Sequence, residues 1–195
     1  SSICNQMQKI FLCILLFCNT VSAQVENQNE SESNKGWFLG LGLGAGTLLL
    51  KYNYTAYHKL STTLPNIKIG YRINKKIAVC FLVPGANYKY HKKDRGFEAF
   101  VPAVQYWINK HWWTLIGIGA TFDAPAFYTV KDPKKAPFYT GIPAITFATG
   151  YEVYQRNKFT LDIQYRFFWG QSLTDNHKYR TGISNMLIAG VNWKL

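Results

Sequence analysis

From Trp37 onward, hydrophobic side chains recur at every second position, and this period of two restricts what the chain can fold into more than any other feature. Trp37, Leu39, Leu41 and Leu43 fall on one side of the first run, with Phe38, Gly40, Gly42, Gly44 and Gly46 on the other. Successive side chains of a strand point to opposite faces, so this run reads as a strand with one crowded face and one nearly empty face. The same pattern returns at Ile67, Ile69, Tyr71 and Ile73 against Lys68, Gly70 and Arg72. It returns again at Phe159, Leu161, Ile163, Tyr165 and Phe167 against Thr160, Asp162, Gln164 and Arg166. The last run sets Leu187, Ala189, Val191, Trp193 and Leu195 against Ile188, Gly190, Asn192 and Lys194. No comparable stretch keeps a period of 3.6, so an all-β domain is predicted.

The connections alternate in kind. Three are short and alike, at 69–79, 104–115 and 149–163. Each joins an aromatic strand end, a tight turn of Asn and basic residues, and an apolar restart. Four are long and polar or basic, at about 51–64, 85–97, 123–139 and 169–183. Four long loops and three short turns make eight antiparallel strands, with the long loops on one side and both termini on the other. Gly36 to Leu195 supplies 160 residues, or 20 per strand and connection. That is ample for the roughly 9–11 residues with which a tilted strand crosses a bilayer.

A closed barrel could turn its apolar face inward, as a soluble carrier, or outward to lipid. Aromatic content favours lipid: 13 Tyr, 13 Phe and 6 Trp are many for a water-facing surface to hide. Tyr and Trp sit near strand ends, where an interfacial girdle belongs. The glycine face of the first strand suits the narrow interior of an eight-stranded barrel. No uncharged stretch after the N-terminal segment is an unbroken apolar run of about 18 residues, which excludes helical spans. The expectation is an eight-stranded antiparallel up-and-down transmembrane β-barrel over residues 36–195.

Residues 1–23 read as upstream residues and a secretory signal peptide. A charged start around Lys9, an apolar run from Ile10 to Cys18 and the small residues of Val21-Ser22-Ala23 place cleavage before Gln24. Residues 24–35 (QVENQNESESNK) have almost nothing to bury and read as a disordered polar leader. Cys4, Cys13 and Cys18 leave with the signal, so Cys80 alone remains and reads as a small core hydrophobe. Disulfide frameworks and zinc sites are thereby excluded from the mature chain, no phosphate-cradling glycine loop is present, and no cofactor is expected.

These features resemble the small outer-membrane β-barrels of Gram-negative bacteria, the OmpA/OmpX/OmpW-like group. The resemblance covers Gly36 to Leu195 and rests on the glycine-alternating first strand, the count of eight strands and the closing MLIAGVNWKL. It implies an outer-membrane location. It also implies that the last strand, through Trp193 and Leu195, is what the barrel-assembly machinery recognises.

With lipid outside, the other face looks inward and carries Lys68, Arg72, Glu98, Glu152, Asp162, Gln164, Arg166 and Lys194. Charges in a narrow lumen must pair, since an isolated buried ion costs several kcal/mol. A salt-bridged interior that fills the barrel is therefore expected. The long loops carry Lys92, Lys93 and Arg95, then Lys131, Lys134 and Lys135, then Lys178 and Arg180. From Gly36 on the chain has 20 basic and 7 acidic residues, a balance of +13. Such a rim suits the phosphates of lipopolysaccharide or an anionic protein partner from the envelope or the cell exterior. The export signal argues against nucleic acid. The expected role is structural, adhesive or in envelope assembly. The alternatives are a narrow channel for small solutes and a lipid A acyl-modifying enzyme using Ser184 or Ser172 with His177 and Asp175.

Overall fold

A computed structural model describes residues 35–52, 55–62, 66–90, 93–125, 137–174 and 178–195. Their regular elements are ten strands: β1 (Gly36–Tyr52), β2 (Thr55–Thr62), β3 (Asn66–Arg72), β4 (Ile77–Leu82), β5 (Gly85–Tyr90), β6 (Lys93–Trp107), β7 (Trp112–Pro125), β8 (Tyr139–Arg156), β9 (Phe159–Leu173) and β10 (Tyr179–Lys194). Eight of them form a closed ring in the order β10-β9-β8-β7-β6-β4-β3-β1, with β1 returning to β10. Closure is long and in register, from Phe38 opposite Lys194 to Tyr52 opposite Arg180. The fold is the eight-stranded antiparallel barrel that the two-residue period predicts.

The two further strands replace parts of the expected long loops. β1 pairs with β3 through its first half and with β2 from Ala45 onward. Likewise β6 pairs with β4 through Val101–Tyr106 and with β5 through Lys93–Glu98. So β2 and β5 prolong β3 and β4 upward, with Val83-Pro84 standing between β4 and β5. Residues 55–62, 85–90 and 93–97, expected as loop, are strand. β8 and β10 also begin at 139 and 179, inside stretches expected as loop. These stretches are polar, but their backbones still need hydrogen-bond partners, and neighbouring strands supply them.

The three short turns are as the sequence suggests. In two of them the same Ile-Asn-Lys tripeptide builds the same turn. The Asn74 side-chain oxygen accepts the amides of Lys76 and Ile77, each at 2.8 Å. The Asn109 oxygen accepts those of His111 and Trp112 at 2.9 and 2.8 Å. This is the local bonding for which Asn is favoured in turns. The third turn is two residues long and holds Asn157 at a φ of +51°, a left-handed conformation that Asn tolerates.

The apolar face points outward. Leu41, Leu43, Ile116, Ile118, Ile163 and Leu187 are all exposed, while their strand neighbours are buried or half-buried. Below this band, at the short-turn end, Trp37, Tyr71, Trp112, Tyr151 and Trp193 stand exposed as an aromatic girdle. Phe81, Phe100, Phe122 and Phe138 form a stacked stripe across the outer wall, with centroids 5.9, 4.7 and 5.9 Å apart. An apolar band edged by an aromatic girdle on the outside of a closed barrel is the signature of a barrel in a membrane.

Candidate functional site

The inward faces build a lumen in three layers. Lowest, near the short turns, the Trp107 indole donates to Glu152 Oε1 at 2.8 Å, and the Arg72 guanidinium lies 3.9 Å from the centre of the Trp107 ring. Slightly higher, Lys68 donates to Gln105 Oε1 at 3.1 Å and lies over the Phe38 and Trp113 rings. Opposite it, Asp162 accepts from Gln164 at 2.9 Å and from Asn192 at 2.9 Å, and Arg166 donates to Gln164 Oε1 at 2.7 Å and to Asn66. The Gln164 amide thus links carboxylate to guanidinium, each end of it matched to the charge it meets.

Inward glycines make the room. A Cβ on Gly190 would lie 2.1 Å from Asp162 Oδ1, and one on Gly150 would lie 2.4 Å from the Trp113 ring. The alternating glycines of β1 do the same for Lys68 and Ile188, whose side chains lean over Gly40 and Gly42. In an eight-stranded barrel the cross-section admits few large side chains unless their neighbours have none.

The second layer is apolar. Leu82, Phe97, Val101, Leu115, Phe168, Met186 and Ile188 converge at no more than 2 % exposure. The expected salt-bridged filling of the barrel is corrected here: a hydrocarbon plug stands between the polar network below and a second polar cluster above.

That upper cluster is a clamp centred on Asp123 of β7, which is fully buried. Arg95 Nε of β6 donates to Asp123 Oδ1 at 2.9 Å, and its Nη2 reaches the carbonyls of Asp123 and Pro137 at 3.0 and 2.9 Å. Arg180 of β10 pairs with the other carboxylate oxygen. Tyr88 of β5 donates to Asp123 at 2.7 Å and accepts from Arg180 at 2.8 Å. Tyr139 of β8 sits against both guanidiniums, 5.5 and 5.6 Å from ring centre. Five strands are stitched across the outer mouth by one carboxylate.

Of the expected interior set, Lys68, Glu152, Asp162, Gln164 and Arg166 are buried inside, with Arg72 and Lys194 half-buried on the same inward face near the lower rim. Glu98 is corrected. It shares the parity of exposed Phe100 and stands on the outer wall, opposite Gly85 and Phe122. Arg95 and Arg180 are also corrected. Expected on the basic loop surface, they are 5 % exposed and point into the mouth, because Asp123 gives each a buried partner. Lys178 is exposed as expected and Lys93 opens β6. Lys92, Lys131, Lys134 and Lys135 lie outside the described residues, as do Asp175 and His177. Ser184 and Ser172 face the lumen and are buried. Trp193 and Leu195 face outward, and Cys80 is buried in the lumen wall.

Sequence reasoning missed Tyr88, Asp123 and Tyr139, all placed in expected loops, and the neutral partners Asn66, Gln105, Trp107 and Asn192. Parity was available for Asp123, which continues the inward series Leu115, Gly117, Gly119, Thr121.

No family model and no curated protein matches the chain. Solved structures do. Neisserial surface protein A is similar at 19 % identity and a TM-score of 0.57, over 82 % of this chain and 99 % of that one. The attachment invasion locus protein Ail of Yersinia pestis, solved with the heparin analogue sucrose octasulfate, is similar at 14 % identity and a TM-score of 0.49, over 81 % and 99 %. The outer membrane protein OprG of Pseudomonas aeruginosa follows at 10 % identity and a TM-score of 0.42, over 83 % and 97 %. With its closed ring, its apolar outer band and its aromatic girdle, the chain has the fold of the small eight-stranded outer-membrane barrels of Gram-negative bacteria.

Proposed function

We propose that this barrel does not conduct and does not catalyse, and that it acts at its outer surface as a structural, adhesive or assembly element of the envelope. The observation that carries this reading is the double closure of the lumen, by the apolar plug around Phe97 and Phe168 and by the Asp123 clamp above it. A solute path through the axis would have to cross hydrocarbon and then break a buried ion cluster, which costs several kcal/mol. The connecting segments carry Lys92, Lys131, Lys134 and Lys135, and segments of this charge suit anionic surfaces. Burial of Ser184 and Ser172 among lumen residues speaks against a hydrolase at the lipid-facing rim. The outward-facing Trp193 and Leu195 suit recognition of the last strand during assembly.

Two measurements on the mature chain in proteoliposomes test this. Planar-bilayer recordings are expected to show no stepwise current, and binding to dextran-sulfate beads is expected to fall when Lys131, Lys134 and Lys135 are all changed to Gln. Stable conductance steps, or retention on the beads unaltered by the triple change, would overturn the respective halves of the proposal.

A further inference from the structure

The barrel wall is split at the level of the outer leaflet. β3 and β4 pair with each other below, but their continuations β2 and β5 pair only with β1 and β6. Ser61 Oγ, which donates to the Asn87 carbonyl, ties the two together at the base of the split. Above it opens a cleft of about 490 Å³.

Residues of both faces of the wall line this cleft. Strand pairing puts Leu60 on the outer face with Thr47, while Lys59 and Ser61 share the inner face with Leu48 and Gly46. Asn87 and Lys89 are likewise outward and Tyr88 inward. All six line the cleft, so it is bordered by residues of the lipid-facing side and of the mouth side. Its height follows from β1. Ala45, on its floor, stands eight residues above Trp37 of the lower girdle. At about 3.4 Å per residue and a tilt of about 40°, that is roughly 20 Å, near the top of the apolar band of about 25 Å.

From this placement we infer that the cleft between β2 and β5 is a lateral binding site for one phosphorylated, acylated amphiphile of the outer leaflet. Leu60, 86 % exposed on the lipid side, offers an acyl chain an apolar lip. Lys59 and Lys89 flank the opening with one acid, Asp94, which lies 4.0 Å from Lys89. Behind the lining, the Tyr88 hydroxyl is bonded to two buried guanidiniums, Arg95 and Arg180, that share the single carboxylate of Asp123. The positive balance at both depths favours a phosphate over a neutral or cationic head group. The inference goes beyond the proposed surface role and needs only that the barrel lie in an outer membrane. It stands or falls separately from conductance and bead binding.

The test uses the folded mature chain in detergent with three probes: bisphosphorylated lipid A, its dephosphorylated form and inorganic phosphate. Binding is read by native mass spectrometry. Lipid A is expected to bind as a single copy. At least a tenfold loss is expected on dephosphorylation and in the double variant Lys59→Gln, Lys89→Gln, with inorganic phosphate leaving no adduct. A diazirine on the acyl chain should cross-link to β2 near Leu60 and not to β7 near Ile116. Equal binding of the phosphorylated and dephosphorylated lipids, binding unchanged in the double variant, binding of phosphate alone, or labelling spread evenly around the wall would overturn the assignment. The heat-dependent gel shift of each variant confirms that it has folded.

Discussion

Arg180 of β10 and Asp123 of β7 form an ion pair across the outer mouth of the barrel, both almost fully buried, with Arg95 on the other oxygen of the same carboxylate. Removing that carboxylate leaves two guanidiniums in a dry site. Asp123→Asn, nearly identical in shape, is therefore expected to destabilise the barrel by about 3–5 kcal/mol. Urea titration of the heat-dependent gel shift reads this directly, and a loss under about 1 kcal/mol would mean that water already screens the clamp.

Lower in the lumen, Asp162 accepts two charge-assisted bonds, from Gln164 and Asn192, whereas Glu152 accepts one from Trp107. Each such bond contributes about 1.5–3 kcal/mol. Asp162→Ala should thus cost more than Glu152→Ala in the same titration. The double change should cost no less than Asp162→Ala alone, and unaltered heat stability of the double variant would sink the network.

Gly190 is empty for a steric reason. Its missing Cβ leaves space for the Asp162 carboxylate and the Gln164 amide. Gly190→Ala is expected to cost about 1–3 kcal/mol through overpacking. Wild-type stability in this variant would show that the network shifts freely.

The outer wall gives the sharpest contrast between a membrane barrel and a soluble one. Ile116 lies outward and is 61 % exposed, about midway along the apolar part of β7 between Trp112 and Phe122. Ile116→Arg should destabilise the barrel refolded in lipid by about 2–4 kcal/mol. An arginine at this position of a water-facing surface would be nearly neutral.

The legible and illegible parts of this chain divide along one physical line. Where one face is uniformly apolar, as at Phe159–Phe167, the period of two is visible and both strand and face follow from it. Where charges cluster, as around Arg95 and Arg180, the pattern resembles solvated loop. Yet Arg95 keeps the inward parity of Phe97, Ala99 and Val101, so counting in twos back from the apolar part of β6 would have placed it inside. The same count places Glu98 outside with Phe100. The Asp123 clamp could not be found this way, since it depends on β5, β7 and β10 meeting across the lumen, and pairing at that distance is not written in any one strand. The apolar plug was missed for a related reason: Phe97, Phe168 and Met186 lie on inward faces that also carry charged, polar or small residues, and only closure brings them together.

The claim on which the rest depends is that the apolar face of a closed barrel looks at lipid. Expression with its own N-terminal segment in a Gram-negative host, followed by gel electrophoresis of boiled and unboiled outer-membrane fractions, tests it most directly. The structure predicts a band in that fraction whose mobility changes on boiling. A protein released with the soluble periplasmic fraction, running at one mobility whether boiled or not, would contradict it and turn the barrel inside out.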